Sequence, residues 1–575
     1  MKRVFLSLCL TVIGITALAQ KSAINWGDEF KLRAGSSELK VIFADNTGAY
    51  LQEGHLAIKN YTVLGSVGES GTLVKVDKNL REIYRNDFNK ELKGKEFEQL
   101  FACQDKLFLF ASEYAKRDRT LTIYASAVDK NSGELTGGWK QVSVFQLNEK
   151  SDDVNFKIDY NVDSTKILIV SSTEGTGKNE YKIQELDQDL KATARPLIIR
   201  NEFEPKKYQL EDVLYTNDRN VVLVGRMYEY EEGKKKKDKF LDFTNYNIRI
   251  YNENGKQKAE INTGINGKWL TNTKVVQEKS KDLVLAAFYS NEKKGKTIDG
   301  LLVQRINVAD GKVVSTSDKQ INNSLLSGDQ DEADDDDKEE SKEDRRKREN
   351  LKKMQEEGEG FSKYMQFRKI YYTADNGLII LAERYDHYIG RDQYYTAGSN
   401  NMPGQWNSAG TSVYLSGDLM ACKIDASGNI GWLQIVPKKQ REEIVVASSY
   451  GSAVIGANDK SYFWDQGRPF YSGFGALQTN GNIQLLFNDN RKNISVTQAG
   501  QKAKLIERFS NSDCFILNID EASGKVDRKV FFSNMDRPIA MPRLGAVIGN
   551  DMYLVGNTGR GIRKAKVIIG KITIK

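Results

Sequence analysis

Histidine, cysteine and proline are scarce in this chain of 575 residues, which holds two, four and seven of them. Two histidines, His55 and His387, cannot build a multi-histidine metal centre. CxxC spacing is also absent, so neither a catalytic metal nor structural zinc is expected. Cys9 lies in an N-terminal targeting segment, which leaves Cys103, Cys422 and Cys514. Three cysteines are not a disulfide framework. Cys103 and Cys514 border strand-like apolar runs and read as small buried apolar residues. Beyond the first nineteen residues no apolar stretch reaches the ~18–20 residues of a membrane span. Charge of one sign is missing too: 85 Lys+Arg face 78 Asp+Glu, a net +7 with no basic stripe, so nucleic acid is not an expected partner.

Motifs of chemistry are equally thin. Gly68-Glu69-Ser70-Gly71 lacks the spacing of a serine-hydrolase elbow. Gly295-Lys296-Thr297 lacks the glycine five residues before the lysine and the helix that a phosphate-binding loop requires. No cofactor is implied.

What is present begins with a targeting signal. Lys2 and Arg3 precede the apolar run from Val4 to Leu18, and Ala17-Leu18-Ala19 gives the small-x-small pattern for cleavage. Residues 1–19 are therefore expected to be removed, leaving 20–575 as a single exported domain, periplasmic or associated with the outer surface. Leu8 before Cys9 is too large for a lipoprotein signal.

A short apolar run after a polar turn then recurs. Its copies are Thr62–Gly65, Leu107–Phe110, Ile167–Val170, Val221–Val224, Leu283–Ala286, Leu378–Leu381, Ile483–Leu486 and Met552–Val555. Between successive copies stands an Asp- or Asn-centred turn, as in Val128-Asp129-Lys130-Asn131-Ser132-Gly133 or Ile424-Asp425-Ala426-Ser427-Gly428. Such turns mark hairpins. Two hairpins per period of roughly 45–60 residues make a four-stranded meander, which buries both faces only by stacking on copies of itself. The pattern resembles the β-propeller superfamily in general, with neither a WD40 nor an Asp-box series. It implies an all-β fold: an eight-bladed β-propeller of four-stranded antiparallel blades. The eighth copy lacks an outer strand, and Glu29–Arg33 is positioned to supply it, an N-terminal strand closing the last blade. Seven blades plus an extra hairpin is the alternative.

Insertions are unevenly placed. They are Tyr228 to Asn245, Tyr385 to Ser412 and Asn488 to Ser512 between second and third strands, and 322–363 and 438–474 between blades. In a propeller these connections share one face, and long loops on a rigid scaffold commonly carry binding function. Two of them mix aromatic and polar residues: Tyr385, His387, Tyr388, Arg391, Tyr394, Tyr395 and Trp406 in one, Trp464, Asp465 and Arg468 in the other. These are the candidate ligand-binding residues, suited to sugar rings or a protein surface; packing of the loops against the disc is the alternative. Residues 325–360 carry acidic and basic blocks and are expected to be solvated or helical, without the ligand spacing of a calcium loop.

Low proline and histidine with abundant Lys, Asn and Tyr resemble exported proteins of Bacteroidota-type bacteria. The expected function is a binding or scaffold module of the cell envelope, recognising a protein or a glycan and monomeric outside its complex. The rival is a carbohydrate-active enzyme, a polysaccharide hydrolase or lyase, using Glu383, Asp386, Asp392 or Asp465 near the aromatic loops.

Overall fold

One carboxylate or amide oxygen folds the chain back at each outer hairpin. Asp77 Oδ1 accepts the amides of Asn79 and Arg81 at 2.8 and 2.9 Å. Asp187, Asn252 and Asp425 do the same for the residues two and four positions on. Asp129, Asn307 and Asp520 hold their turns by related bonds. The turn must then pass through left-handed backbone, which Gly428 (φ +88°) enters without a Cβ penalty. Leu80 and Leu190 occupy the same region, with φ 64° and 60°. Both are buried in the seams between blades, so apolar burial offsets the backbone strain.

The computed structural model describes residues 24–32, 38–54, 71–147, 153–174, 179–204, 207–230, 241–262, 268–278, 281–292, 298–321, 365–396, 405–446, 462, 469–559 and 566–573. They form eight antiparallel sheets, spanning 38–87, 96–146, 153–200, 208–262, 269–320, 365–436, 475–533 and 539–573, here called blades one to eight. Blade three shows the plan, with neighbouring strands Asp153–Tyr160, Ile167–Glu174, Glu180–Leu186 and Leu197–Arg200 running from the centre outwards. The eight blades close into a ring. The protein is an eight-bladed β-propeller, and the seven-blade alternative falls away.

Closure follows the expected route with a longer strand. The last blade takes its outer strand from the N-terminal segment, where Ile24–Trp26 pairs with residues 570–572 and Phe30–Lys31 continues onto Val567 and Lys566. Joining the two chain ends in one sheet ties the ring shut. Of the expected Glu29–Arg33 segment, Phe30 and Lys31 pair with the last blade, Ile24–Trp26 supplies the longer stretch, and Arg33 lies outside the described residues.

Seven of the eight apolar runs lie in second strands. The exception is blade one, whose second strand is Gly48–Gly54; Thr62–Gly65 lies outside the described residues. The correction has a simple cause. Ala49-Tyr50-Leu51 is apolar but short, and the run chosen in its place was the more hydrophobic of two neighbours. The targeting segment 1–19 and the charged insertion 325–360 also lie outside the described residues.

The core is distributed as one apolar seam per blade contact. Blades three and four meet through Leu168, Val170, Tyr181, Ile183, Leu210, Val221 and Leu223, and blades six and seven through Ile379, Leu381, Ala476, Leu485, Phe487 and Phe515. Each fully buried side chain of this kind contributes about 1.5–3 kcal/mol. Cys103, Cys422 and Cys514 are free and buried. Burial pushes the Cys422 thiol up to about 12.

Candidate functional site: the loop-rich face

Strands alternate in direction, so every second-to-third connection and every blade-to-blade connection leaves the ring on the same side. The longest connections gather there. In blade six the second and third strands run on past the blade as Leu378–Thr396 and Gln405–Ile424, paired from Leu378↔Ile424 out to Thr396↔Gln405. A further strand, Gln440–Val446, adds to the outer half, Gln440↔Ser416 to Val446↔Gly410. The insertion is therefore a three-stranded sheet raised from the disc.

The root of this sheet is closed by its own side chains. Tyr385 is 3% exposed, with the Arg368 guanidinium 4.4 Å from its ring centroid and Arg543 at 5.7 Å. His387 is fully buried and stacks on Tyr414, centroids 4.3 Å apart and planes at 7°. Tyr388, Arg391, Tyr394, Tyr395 and Trp406 lie further out on the paired strands, opposite Val413, Gly410, Asn407, Trp406 and Tyr395; their side chains are outside the described residues. Trp464, Asp465 and Arg468 are outside them altogether. The structure thus brings Tyr385 and His387 together at the hairpin root, with no open ring face between them.

Beneath lies a polar network that residue patterns alone had not singled out. Counting from the first residue of each apolar run, the sixth position is Ser112, Ser172, Arg226, Glu383, Asn488 or Asn557, with Phe288 in blade five; all are buried. The signal was available in the sequence, as a polar residue two positions after the fourth member of six apolar runs, blade five's Phe288 being the exception. In blades six to eight these positions moor the segment that links blade six to blade seven. Lys438, fully buried, donates to Glu383 Oε1 at 2.6 Å and to Gln440 Oε1 at 2.7 Å, while Arg368 Nε donates to Glu383 Oε2 at 3.1 Å. Burial opposes ionisation of Glu383, yet Lys438 and Arg368 hold its carboxyl below the usual range. Asn488 Nδ2 donates to the carbonyls of Tyr471 and Ala540, and Asn557 Nδ2 to the Tyr471 hydroxyl. Glu442 accepts the amides of Phe470, Tyr471 and Ser472 at 2.7–2.8 Å.

The moored segment then reaches across the ring. Tyr462 is 6% exposed and packs in the seam of blades three and four, nearly opposite its origin. Its amide donates to the Leu210 carbonyl at 3.1 Å and its hydroxyl to Asp159 Oδ2 at 2.9 Å, both on inner strands. Lys157 lies 4.5 Å from its ring and also pairs with Asp159. Neighbouring inner-strand charges are likewise matched, Glu211 with Arg226 and Asp212 with Lys274. Tyr462 thus lies against the inner strands of blades three and four.

Chemically, Glu383 is the acid near the aromatic loops that is committed to ion pairs. Glu383 is doubly ion-paired and Asp386 is 9% exposed; Asp392 lies on the raised strands and Asp465 outside the described residues. A glycosidic acid pair must reach a sugar, and Glu383 reaches none. Among the described residues no cluster of His, Cys, Asp and Glu is arranged to hold a metal ion. No described helix is long and apolar enough to cross a membrane.

No protein-family model and no curated protein matches the chain. Solved structures align with it only weakly. The β-propeller domain of the Trilobed protease from Pyrococcus furiosus aligns at TM-score 0.28 and 12% identity over 71% of this chain and 94% of that one. The polysaccharide lyase Uly1 aligns at TM-score 0.33 and 8% identity over 96% and 100%. A thermostable family-43 glycoside hydrolase aligns at 0.23 and 12% over 51% and 93%.

Proposed function

We propose that this chain is an exported scaffold of the cell envelope that engages a protein partner through its loop-rich face. The observation that carries the reading is the construction of that face. Blade six spends 19 and 20 residues on strands where its neighbours use about half as many, and raises them as a three-stranded sheet off a rigid ring. A raised sheet offers backbone edges and side chains to an extended surface, which suits a protein partner better than a pocket ligand. The inner strands of blades three and four receive Tyr462 and hold ion-paired charges, and the hydrolase or lyase reading finds no support in the placement of Glu383. Replacing residues 390–409 by a short glycine turn tests the proposal. The shortened protein should remain folded and lose an envelope protein that co-purifies with the full chain. Retention of that protein by the shortened chain, or reducing-end release from a polysaccharide panel, sinks the reading.

A further inference from the structure

The seam between blades three and four holds a buried cation with no carboxylate bonded to it among the described residues. Arg249, on the third strand of blade four (Leu241–Tyr251), is 2% exposed and sits within an apolar cluster. Aromatic rings surround its guanidinium, with the centroids of Phe203 at 5.0 Å, Tyr208 at 4.9 Å and Tyr251 at 5.9 Å. Such contacts stabilise a desolvated cation by about 2 kcal/mol, far less than the cost of burying an unpaired charge. The Tyr208 hydroxyl lies beside the Arg249 guanidinium, but its own proton has no acceptor among the described residues, and Nε and Nη2 of Arg249 meet no carboxylate or carbonyl there. A fourth such donor, Asn201 Nδ2, belongs to the residue whose Oδ1 accepts the amide of Phe203. Glu260 faces Arg249 in register, but it is exposed and its oxygens take the side-chain amides of Asn247 and Gln257.

Unmet donors on and beside a permanently cationic guanidinium call for an anion. Enclosure selects its size: Tyr208 is 3% exposed and Asn201 fully buried, so the guest must be small and need no hydrogen-bond donors of its own. We propose that this seam binds a single chloride ion, held by the Arg249 guanidinium and the Tyr208 hydroxyl, which completes the contact between blades three and four. A ligand bound only by the folded state stabilises it in proportion to occupancy.

The test uses the full chain in sodium chloride and in sodium gluconate at equal ionic strength. Chloride should raise Tm on the order of 2 °C with saturation. Arg249→Met should abolish the response, Tyr208→Phe should weaken it, and Glu260→Gln should leave it intact. Crystals grown with bromide should show an anomalous peak beside Arg249. Identical unfolding in both salts overturns the proposal, as does loss of the response in Glu260→Gln, which would make Glu260 the counter-charge. A water without anomalous signal at the site overturns it too, and that crystallographic arm stands even if Arg249→Met fails to fold.

Discussion

The seams of blades six–seven and three–four both bury cations among aromatic rings, and they neutralise them differently. In the first, Arg528 and Asp489 are both fully buried and bonded at 2.5 Å, with Phe515 and Phe487 at 4.4 and 5.0 Å from the guanidinium. Lys438 has Glu383. In the second, Arg249 has rings on several sides and, among the described residues, no bonded carboxylate. The difference separates two uses of buried charge: a matched pair fixes segments in place, whereas an unmatched one leaves donors for something else to fill. It also explains why the loop-rich face over blades six to eight is firmly moored. Its anchors are internal and charge-matched.

That contrast can be broken at its strongest point. Arg528→Leu leaves Asp489 buried without its cation and should destabilise the protein by about 3–5 kcal/mol, whereas Arg528→Leu with Asp489→Leu should recover most of the loss. Equal losses in urea unfolding for the single and double variants would show that the pair is no mooring.

An intermediate case sharpens it. Between blades one and two, Asp45 pairs with Lys130 at 3.0 Å, both partly buried. Burial alone would raise the Asp45 carboxyl, but bonds from Thr47 and Lys130 bring it down to about 2. A depressed folded pKa contributes stability that is present above the unfolded value, near 4, and is lost as pH falls towards 2. Wild type should therefore lose about 2 kcal/mol across that window through this group, and Asp45→Asn should remove that portion of the slope. Thermal unfolding from pH 5 to 2 gives the answer.

Tyr462 is anchored by its amide on Leu210 and by a side-chain hydrogen bond to the Asp159 carboxylate. Tyr462→Phe keeps the ring and removes the bond to Asp159, a loss of about 1.5 kcal/mol. Trypsin cleavage at Lys460 should accelerate about tenfold if opening precedes cleavage. An unchanged rate would mean that ring packing alone holds the segment. The smallest effect belongs to the turns: Asn252→Ala deletes the acceptor of two amides at the surface and should cost about 1 kcal/mol in urea unfolding.

Much of the ring was legible because its causes are local. Alternating apolar runs and Asx turns repeat the same short-range chemistry in every blade, so strands and order could be read from residues such as Asp187 and Ile167. Blade one was misread because Gly48–Gly54 is weakly apolar by itself and becomes a strand through its neighbours. The site was less legible. Tyr385 and His387 have the composition of a binding loop, yet their rings are buried against Arg368 and Tyr414, a contact between distant segments. Arg249 gave no sequence signal at all, since an arginine on a strand is ordinarily solvated.

What the sequence alone determined was the propeller class, its four-stranded plan and the side on which the long connections emerge, because hairpin turns and alternation are fixed by neighbours in the chain; the choice of eight blades over seven came with the structure. Tertiary structure decided which charges are matched, that Tyr462 crosses to the opposite inner strands, and that Arg249 is enclosed. Those outcomes depend on desolvation, and desolvation is set by which blades come to face one another.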